Sequence, residues 1–432
     1  MADRERLYFT IGPVQTFVAQ SRRTRDLWAS SYLLSHMADV AMAAVEAAGG
    51  GIILPSRKKQ AGQQTPGPTT PVQHGRWPNR FVAVASDSKS IAKAATSAMF
   101  DAWQKVADAV WTRFVQPAVN SGNGTRAIWD RQVGNFWEVS WVVAHAPAAG
   151  GPDPLSLRKN WRTTPATVEP GDHCTMMGSW QELSGYIRSR ERKQQDSFWA
   201  TLRNQLGQLD LGEDERLCAI ALIKRTFPRI AKEAIGSEVN AASWLSTPYI
   251  AAIPWLKRVS NRWPRQAQDY LSLVKKHRTN WRREDPNDIA SLRPFLNTSS
   301  RDIFQLDADL VHETALKNAS DTPLDRPDAH LASSSRVERN ELLVGLDHLY
   351  RSMDNDRPSS FYAMLLMDGD SMGRLLSEAR ASLQDEGERQ VTAALGQFAA
   401  GVPETIGSYD GVTVYCGGDD VLAMLPMVDP FV

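Results

Sequence analysis

Apolar and polar positions change period along the chain, and the changes outline two α/β units joined by a helical stretch. Residues 7 to 11 form a short apolar run of strand character, broken by Gly12 and Pro13. From residue 14 to about 48 the apolar positions, among them Phe17, Leu27, Leu34, Met37 and Val45, fit the buried stripe of one long helix or of two with a bend. Residues 49 to 55 read as a turn and a short strand, and the polar stretch from 56 to 78, rich in Gly, Pro and Gln, as a flexible loop. Strand character returns at 79 to 85, a helix fits 88 to 116, and 136 to 144 is a further strand. The order strand, helix, strand, strand, helix, strand is a ferredoxin-like layout, and it predicts a first palm-like domain over residues 1 to 150.

Pro, Gly and Thr are frequent from 146 to 171, which places a boundary there. A polar helical stretch follows at 180 to 209, and 217 to 227 reads as an amphipathic-to-buried helix. Helical segments recur near 229 to 236, 240 to 246, 263 to 278, 307 to 319 and 338 to 353, with a loop at 321 to 335. Residues 151 to 355 are therefore expected to form a mainly helical domain, and 356 to 432 a second palm-like one. In the latter, residues 361 to 367 have the look of a buried strand; 411 to 416 and 421 to 425 read as a β-hairpin with Gly417-Gly418-Asp419-Asp420 at its turn. The fold class predicted is α+β and multidomain: two ferredoxin-like palms separated by a helical domain. An internal echo supports it, since residues 7 to 18 and 362 to 373 are both strand, Gly-containing turn and helix. Gly12 and Val14 fall at the places of Asp368 and Asp370, so the first palm lacks the acids of the second.

Length and composition narrow the picture. A chain of 432 residues is too long for one ordinary core, and two to four domains are expected. A formal net charge of zero argues against a free-standing, nonspecific nucleic-acid binder and for local contacts or partner subunits that carry a basic channel. Three cysteines make no disulfide framework and suit a reducing cytoplasm. The N-terminus has no signal-peptide pattern, and no run of eighteen apolar residues suggests a membrane span. Fourteen tryptophans point to core and interface packing.

The candidate chemistry lies in the second unit. Asp368-Gly369-Asp370 ends one expected strand and Gly417-Gly418-Asp419-Asp420 turns the hairpin. Either is ordinary turn composition taken alone. If the strands are neighbours, however, the carboxylates converge, and like charges at short range need cations. Two divalent ions, Mg2+ or Mn2+, would neutralise them, bind nucleotide phosphates and activate a hydroxyl. Asp368 and Asp419 are the foremost metal ligands and Asp370 and Asp420 the next; Asp368, Asp419 and Asp420 are the candidate catalytic residues. Gly369, Asp370, Ser371 and Gly373, entering a helix, together with Gly417 and Gly418, are candidates for holding nucleotide through free backbone N–H groups.

The pairing of these two motifs resembles the palm of nucleotide and diguanylate cyclases, and more closely the second palm of the large subunit of type III CRISPR–Cas effector complexes. Residues 11 to 18, 21 to 34 and 78 to 81 resemble the opening palm of the type III-B, or Cmr, branch. The resemblance implies an RNA-guided antiviral complex with other Cmr subunits, guide RNA and target RNA as partners and no membrane. It also implies that target RNA switches on conversion of ATP to cyclic oligoadenylate: a ribose 3′-hydroxyl attacks the α-phosphate of another ATP and pyrophosphate leaves. The chain departs from the family in three places. It begins at the palm, without an HD nuclease domain and without a His-Asp dipeptide, so HD-type DNA cleavage is not expected. Where the family's zinc-binding insert carries paired cysteines, Met177 and Ala221 stand in the second positions beside Cys174 and Cys218, with His173 as the remaining donor, and no zinc is expected. Twelve residues follow Asp420, fewer than a cyclase-like palm and the family's C-terminal helical domain require, so the chain reads as C-terminally incomplete.

The rival readings are a non-catalytic scaffold of the same complex, a diguanylate cyclase, whose usual tetrapeptide differs from Gly417–Asp420, and, more remotely, an RNA-dependent RNA polymerase. Two basic regions stay open. Arg22, Arg23 and Arg25 beside Asp26 fit either local ion pairs or contact with phosphate or a partner, and Trp255, Trp263 and Trp281 among Arg and Lys fit either amphipathic helices or single-stranded RNA.

Overall fold

The first apolar run forms β1 (Arg6–Gly12), the buried centre of an antiparallel sheet. After it the chain runs through α1 (Val14–Ala19), α2 (Thr24–Ala47), β2 (Gly51–Leu54), β3 (Arg80–Val84), α3 (Ser88–Val110), α4 (Thr125–Asn135) and β4 (Glu138–Ala144), giving the strand order β2-β3-β1-β4. Register pairs Phe9 with Phe81 on one side and with Trp141 on the other. Leu7, Phe9 and Ile11 face the main core beneath α2 and α3, while Tyr8, Ile53 and Val82 face Leu155 of α5 (Pro154–Lys159). This is the expected ferredoxin-like order, with the long first helix split in two. The computed structural model describes residues 5–57, 74–147, 153–159, 168–207, 210–277, 281–318, 335–383 and 385–427.

The middle of the chain is helical: α6 (Arg188–Leu206), α7 (Ala219–Ile235), α8 (Thr247–Arg262), α9 (Pro264–His277), α10 (Arg293–Leu296), α11 (Glu313–Asn318) and α12 (Ser335–Arg351). Residues 219 to 227 are buried all round because α7 packs against α2, α3 and α4 at once. α8 escaped the sequence pattern: Pro248 opens it, Pro254 lies inside it, and Ser246 caps it by accepting from the Tyr249 N–H.

Charge holds α7 to α1 and α2. Asp26, fully buried, accepts from the Arg22 and Arg23 backbone N–H groups and from Arg225 Nε and Nη2 at 2.6 and 3.0 Å. Arg225 also meets Glu215 at 2.9 and 3.0 Å, and Glu215 accepts from Arg23. Beside it, Lys224 Nζ donates to the Phe17 and Gln20 carbonyls, satisfying the C-terminal end of α1. Arg23 is thus spent on an internal network.

β5 (Tyr362–Met367), α13 (Met372–Leu383), α14 (Asp385–Ser408), β6 (Val412–Gly417) and β7 (Asp420–Pro426) form the last unit, whose described strands lie in the antiparallel order β5-β7-β6. That order repeats β1-β3-β2 of the first sheet. Leu365, Val421 and Ala423 pack with Val402 and Ile406 of α14. Residues 361 to 367 correct one expectation, because this strand is largely exposed: Phe361 is 72% and Leu366 73% accessible. The reason is position, since among the described residues β5 pairs with β7 alone and is an edge. A buried pair, Arg6 Nη1 to Glu388 Oε2 at 2.6 Å, and Lys257 to Asp410 at 2.8 Å tie this unit to the rest.

Arg225→Ala is expected to cost about 3–5 kcal/mol, because it strands the Asp26 carboxylate in the core. Chemical denaturation measures this; an unchanged midpoint would show that the network carries little.

Candidate functional site

The site is built on strand register. β5 and β7 are antiparallel with Met367 opposite Val421, so the next residue on one strand, Asp368, faces the preceding residue on the other, Asp420. β6 and β7 close with Gly417 opposite Asp420, leaving Gly418 and Asp419 as a two-residue turn. Gly418 has φ +70°, a left-handed conformation that glycine takes without penalty. A Cβ on Gly369 would lie 2.7 Å from both Cβ and Oδ2 of Asp419, so the glycine is what lets the Asp368 turn close on the hairpin. Asp368, Asp419 and Asp420 are therefore neighbours.

The crowding bears on Asp420. Partial burial, then the charges of Asp419 and Asp368, then a hydrogen bond with Asp368, push the Asp420 carboxyl up to about 6. Carboxylates gathered this closely, with a proton held more tightly on Asp420, make a site short of positive charge. Among the described residues no three His, Cys, Asp or Glu side chains close into a ready-made ion cage. The arrangement instead suits a hard divalent cation that takes one or two carboxylates from protein and completes its shell with water and phosphate. Asp370 is exposed on the turn, Ser371 has φ +58°, and Gly373 is exposed near the start of α13 with open space where a side chain would be. The N–H groups of that first turn are thus free of a covering side chain at Gly373, beside the acids.

Other candidate regions are used internally. Cys174, Met177, Cys218 and Ala221 are all buried, whereas His173 is exposed. The Met177 and Ala221 N–H groups point at the Cys174 and Cys218 sulfurs at 3.2 and 3.5 Å, and Met177 Sδ lies 3.9 Å from Cys218 Sγ. Cys218 also caps α7. Trp255 is buried and donates to the Asp356 carbonyl; Trp281 lies between Lys275 and Arg282, both of which bind Asp302. One feature was not legible in sequence: residues 74 to 77, read as the end of a loop, lie against β6 just before its acidic turn. The available signal was a pair of small polar residues four apart on α2, Ser31 and Ser35, where the apolar stripe would have favoured larger ones.

Residues 7–108 match the family described as CRISPR-associated protein Cmr2, N-terminal, and residues 361–431 match Cas10/Cmr2, second palm domain. A CRISPR system Cmr subunit Cmr2 from Pyrococcus furiosus is 22% identical over 237 residues, which cover 50% of this chain and 24% of the relative. Two cryo-EM structures of type III-B Cmr-beta are similar in fold: the apo state with a TM-score of 0.57 at 13% identity, and the state bound to cognate target RNA with 0.60 at 14%. Each likeness covers 98% of this chain and 60% of the matched chain. The chain thus spans a quarter of its curated relative and three fifths of the matched chains.

The raised Asp420 value has a stability consequence. A folded-state pKa above the unfolded one means that the proton is held more tightly in the fold. The corresponding stability is present in full below the ordinary carboxylate pKa and is lost as pH rises through about 6. Asp420→Asn is expected to raise the melting temperature near neutral pH and to bring no gain near pH ~4. Melts across that range check it; an equal gain at both ends would mean that titration is not the cause.

Proposed function

We propose, for a chain that belongs to the Cas10/Cmr2 large-subunit family, that it serves as a subunit of an RNA-guided type III-B complex and converts ATP to cyclic oligoadenylate when target RNA is bound. The observation that carries this reading is the meeting of Asp368 with Asp420 across β5 and β7, with Asp419 packed on Gly369. The repeated strand order β1-β3-β2 and β5-β7-β6 supports two related palms, the first without acids at Gly12 and Val14. Partners on this reading are the other Cmr subunits, guide RNA and target RNA, in the cytoplasm.

Each residue has a part. Asp368, Asp419 and Asp420, with Asp370 beside them, would hold two Mg2+ or Mn2+ ions, which when bound neutralise phosphate charge and lower the pKa of a ribose hydroxyl. The backbone of Gly369, Ser371 and Gly373 at the start of α13, and of Gly417 and Gly418 in the hairpin, offers N–H groups to the triphosphate. The 3′-oxygen forms a bond to the α-phosphorus of a second ATP, the bond to pyrophosphate breaks, and the hydroxyl proton leaves to solvent. No side chain serves as nucleophile. ATP rather than GTP as the productive nucleotide separates this reading from a diguanylate cyclase. A purely scaffolding role is the second reading, and the exposed apolar run on β5, a surface suited to being covered, favours it.

In the complete complex with guide RNA, matching target RNA, Mg2+ or Mn2+ and labelled ATP, Asp419→Ala with Asp420→Ala is expected to lower product by at least ~100-fold. Assembly should survive, because the substitutions relieve repulsion. Asp368→Ala should behave alike. Undiminished product from the double variant would place the chemistry elsewhere, and no product from the wild-type complex would favour the scaffold. Elemental analysis is expected to find no stoichiometric zinc, since a structural site needs four N or S ligands; one tightly bound zinc lost on Cys174→Ala would contradict this.

A further inference from the structure

The acidic turn does not stand on its own sheet alone. Gly75, from the segment between β2 and β3, makes a parallel bridge to Tyr415, and its carbonyl accepts from the Cys416 N–H at 3.0 Å. That bond closes one residue before Gly417. The neighbouring carbonyl, of Arg76, stands so close that a Cβ on Gly417 would lie 2.7 Å from it. The segment is held from behind by α2: Ser35 Oγ accepts from the Arg76 and Trp77 N–H groups at 2.9 and 2.8 Å. Four residues earlier on the same face, Ser31 Oγ donates to the Val414 carbonyl at 3.1 Å. The fit leaves no room at Gly75, where a Cβ would come within 2.5 Å of Ser31 Oγ, 2.7 Å of its carbonyl and 3.0 Å of the Tyr415 ring. The far end of the segment is tied to β1, since Asn79 exchanges hydrogen bonds with Ile11 and its Nδ2 reaches Thr10 Oγ1.

From this geometry we infer that residues 75 to 77 are a positioning strap for the acidic turn, set by Ser31 and Ser35 of α2. The strap makes β6 answer to the first sheet. α2 and the end of β1 fix where Gly75 and Arg76 sit, these fix the last residues of β6, and those fix where Asp419 and Asp420 point. Carboxylates that repel one another need such outside support, because nothing in their own interaction favours the close arrangement. Ser31, Ser35 and Gly75 reach the acids through β6 and are positioning residues. In its catalytic consequence the inference rests on the nucleotidyl-transfer reading above; in its structural consequence it does not.

The test uses the full chain and, for activity, the complete complex. Ala suits a helix better than Ser, but the Arg76 and Trp77 N–H groups lose their acceptor, so Ser31→Ala with Ser35→Ala should lower the melting temperature modestly while the chain still folds. Hydrogen exchange at the Cys416 amide should speed up, and Mn2+ titration followed by electron paramagnetic resonance should show affinity weakened by roughly 10- to 100-fold, as for other groups that orient metal ligands. In the complex, kcat should fall while KM for ATP changes little, since the acids are misplaced rather than removed. Ser35→Thr, alone, keeps the hydroxyl and should retain wild-type exchange and affinity. Gly75→Ala, which forces the strap off β6, should reproduce the serine double variant. Faster exchange at Cys416 with unchanged Mn2+ affinity would overturn the inference, and so would unchanged exchange. If the wild-type complex makes no product, the functional reading fails, while exchange and Mn2+ binding still decide the strap.

Discussion

Three carboxylates share one corner of the second sheet, and like charges at that range oppose the fold that gathers them. The register between β5 and β7 leaves no choice: once Met367 pairs with Val421, Asp368 faces Asp420. Burial, and then the charges of Asp419 and Asp368, raise the pKa of Asp420. What surrounds the corner is best understood as what makes the repulsion bearable: a glycine that admits Asp419, a left-handed glycine at the turn, and a hairpin fixed from outside by the segment at Gly75. On the function proposed above, this repulsion is what a bound cation would relieve.

The interior of the molecule handles charge in the opposite way. Asp26 and Glu215 are buried with Arg225 between them and with backbone donors filling the remaining lone pairs. Lys224 is buried against the open carbonyls at the end of α1. Here each charge meets its complement, and the network joins the first sheet's helices to the helical middle. Because α2 also carries Ser31 and Ser35, the helix anchored by this network is the one that sets the strap. Stability in the centre and geometry at the acidic corner thus share one element.

The first and last units are unlike in exposure although their strands follow the same order. β1 has a neighbour on each edge and is buried, whereas among the described residues β5 pairs with β7 alone and shows Met364 and Leu366 to solvent, with Phe361 just before it. Apolar side chains left exposed on an edge strand are a surface that a further strand or a partner would cover.

Much of this was open to reading from the chain alone. The period of the apolar positions placed β1 to β4 with α1 to α3, because an alternating or helical stripe is a local consequence of which face is buried; α4 went unread. Asp-Gly-Asp and Gly-Gly-Asp-Asp marked the corner, because carboxylates and glycines at strand ends are a compositional signal that needs no partner to be seen. What the local pattern could not carry was everything set by pairing at a distance. An apolar run is the same in sequence whether its strand is central or at an edge, so residues 361 to 367 read as buried and are not. Arg23 and Trp255 are tied to Glu215 and Asp356 by long-range bonds that no local pattern reveals. α8 was hidden by the prolines it tolerates, and residues 75 to 77 looked like loop because their bonds go to a strand some 340 positions away. Register, edge position and long-range hydrogen bonds are properties of the folded chain as a whole, and they decided where the acids meet.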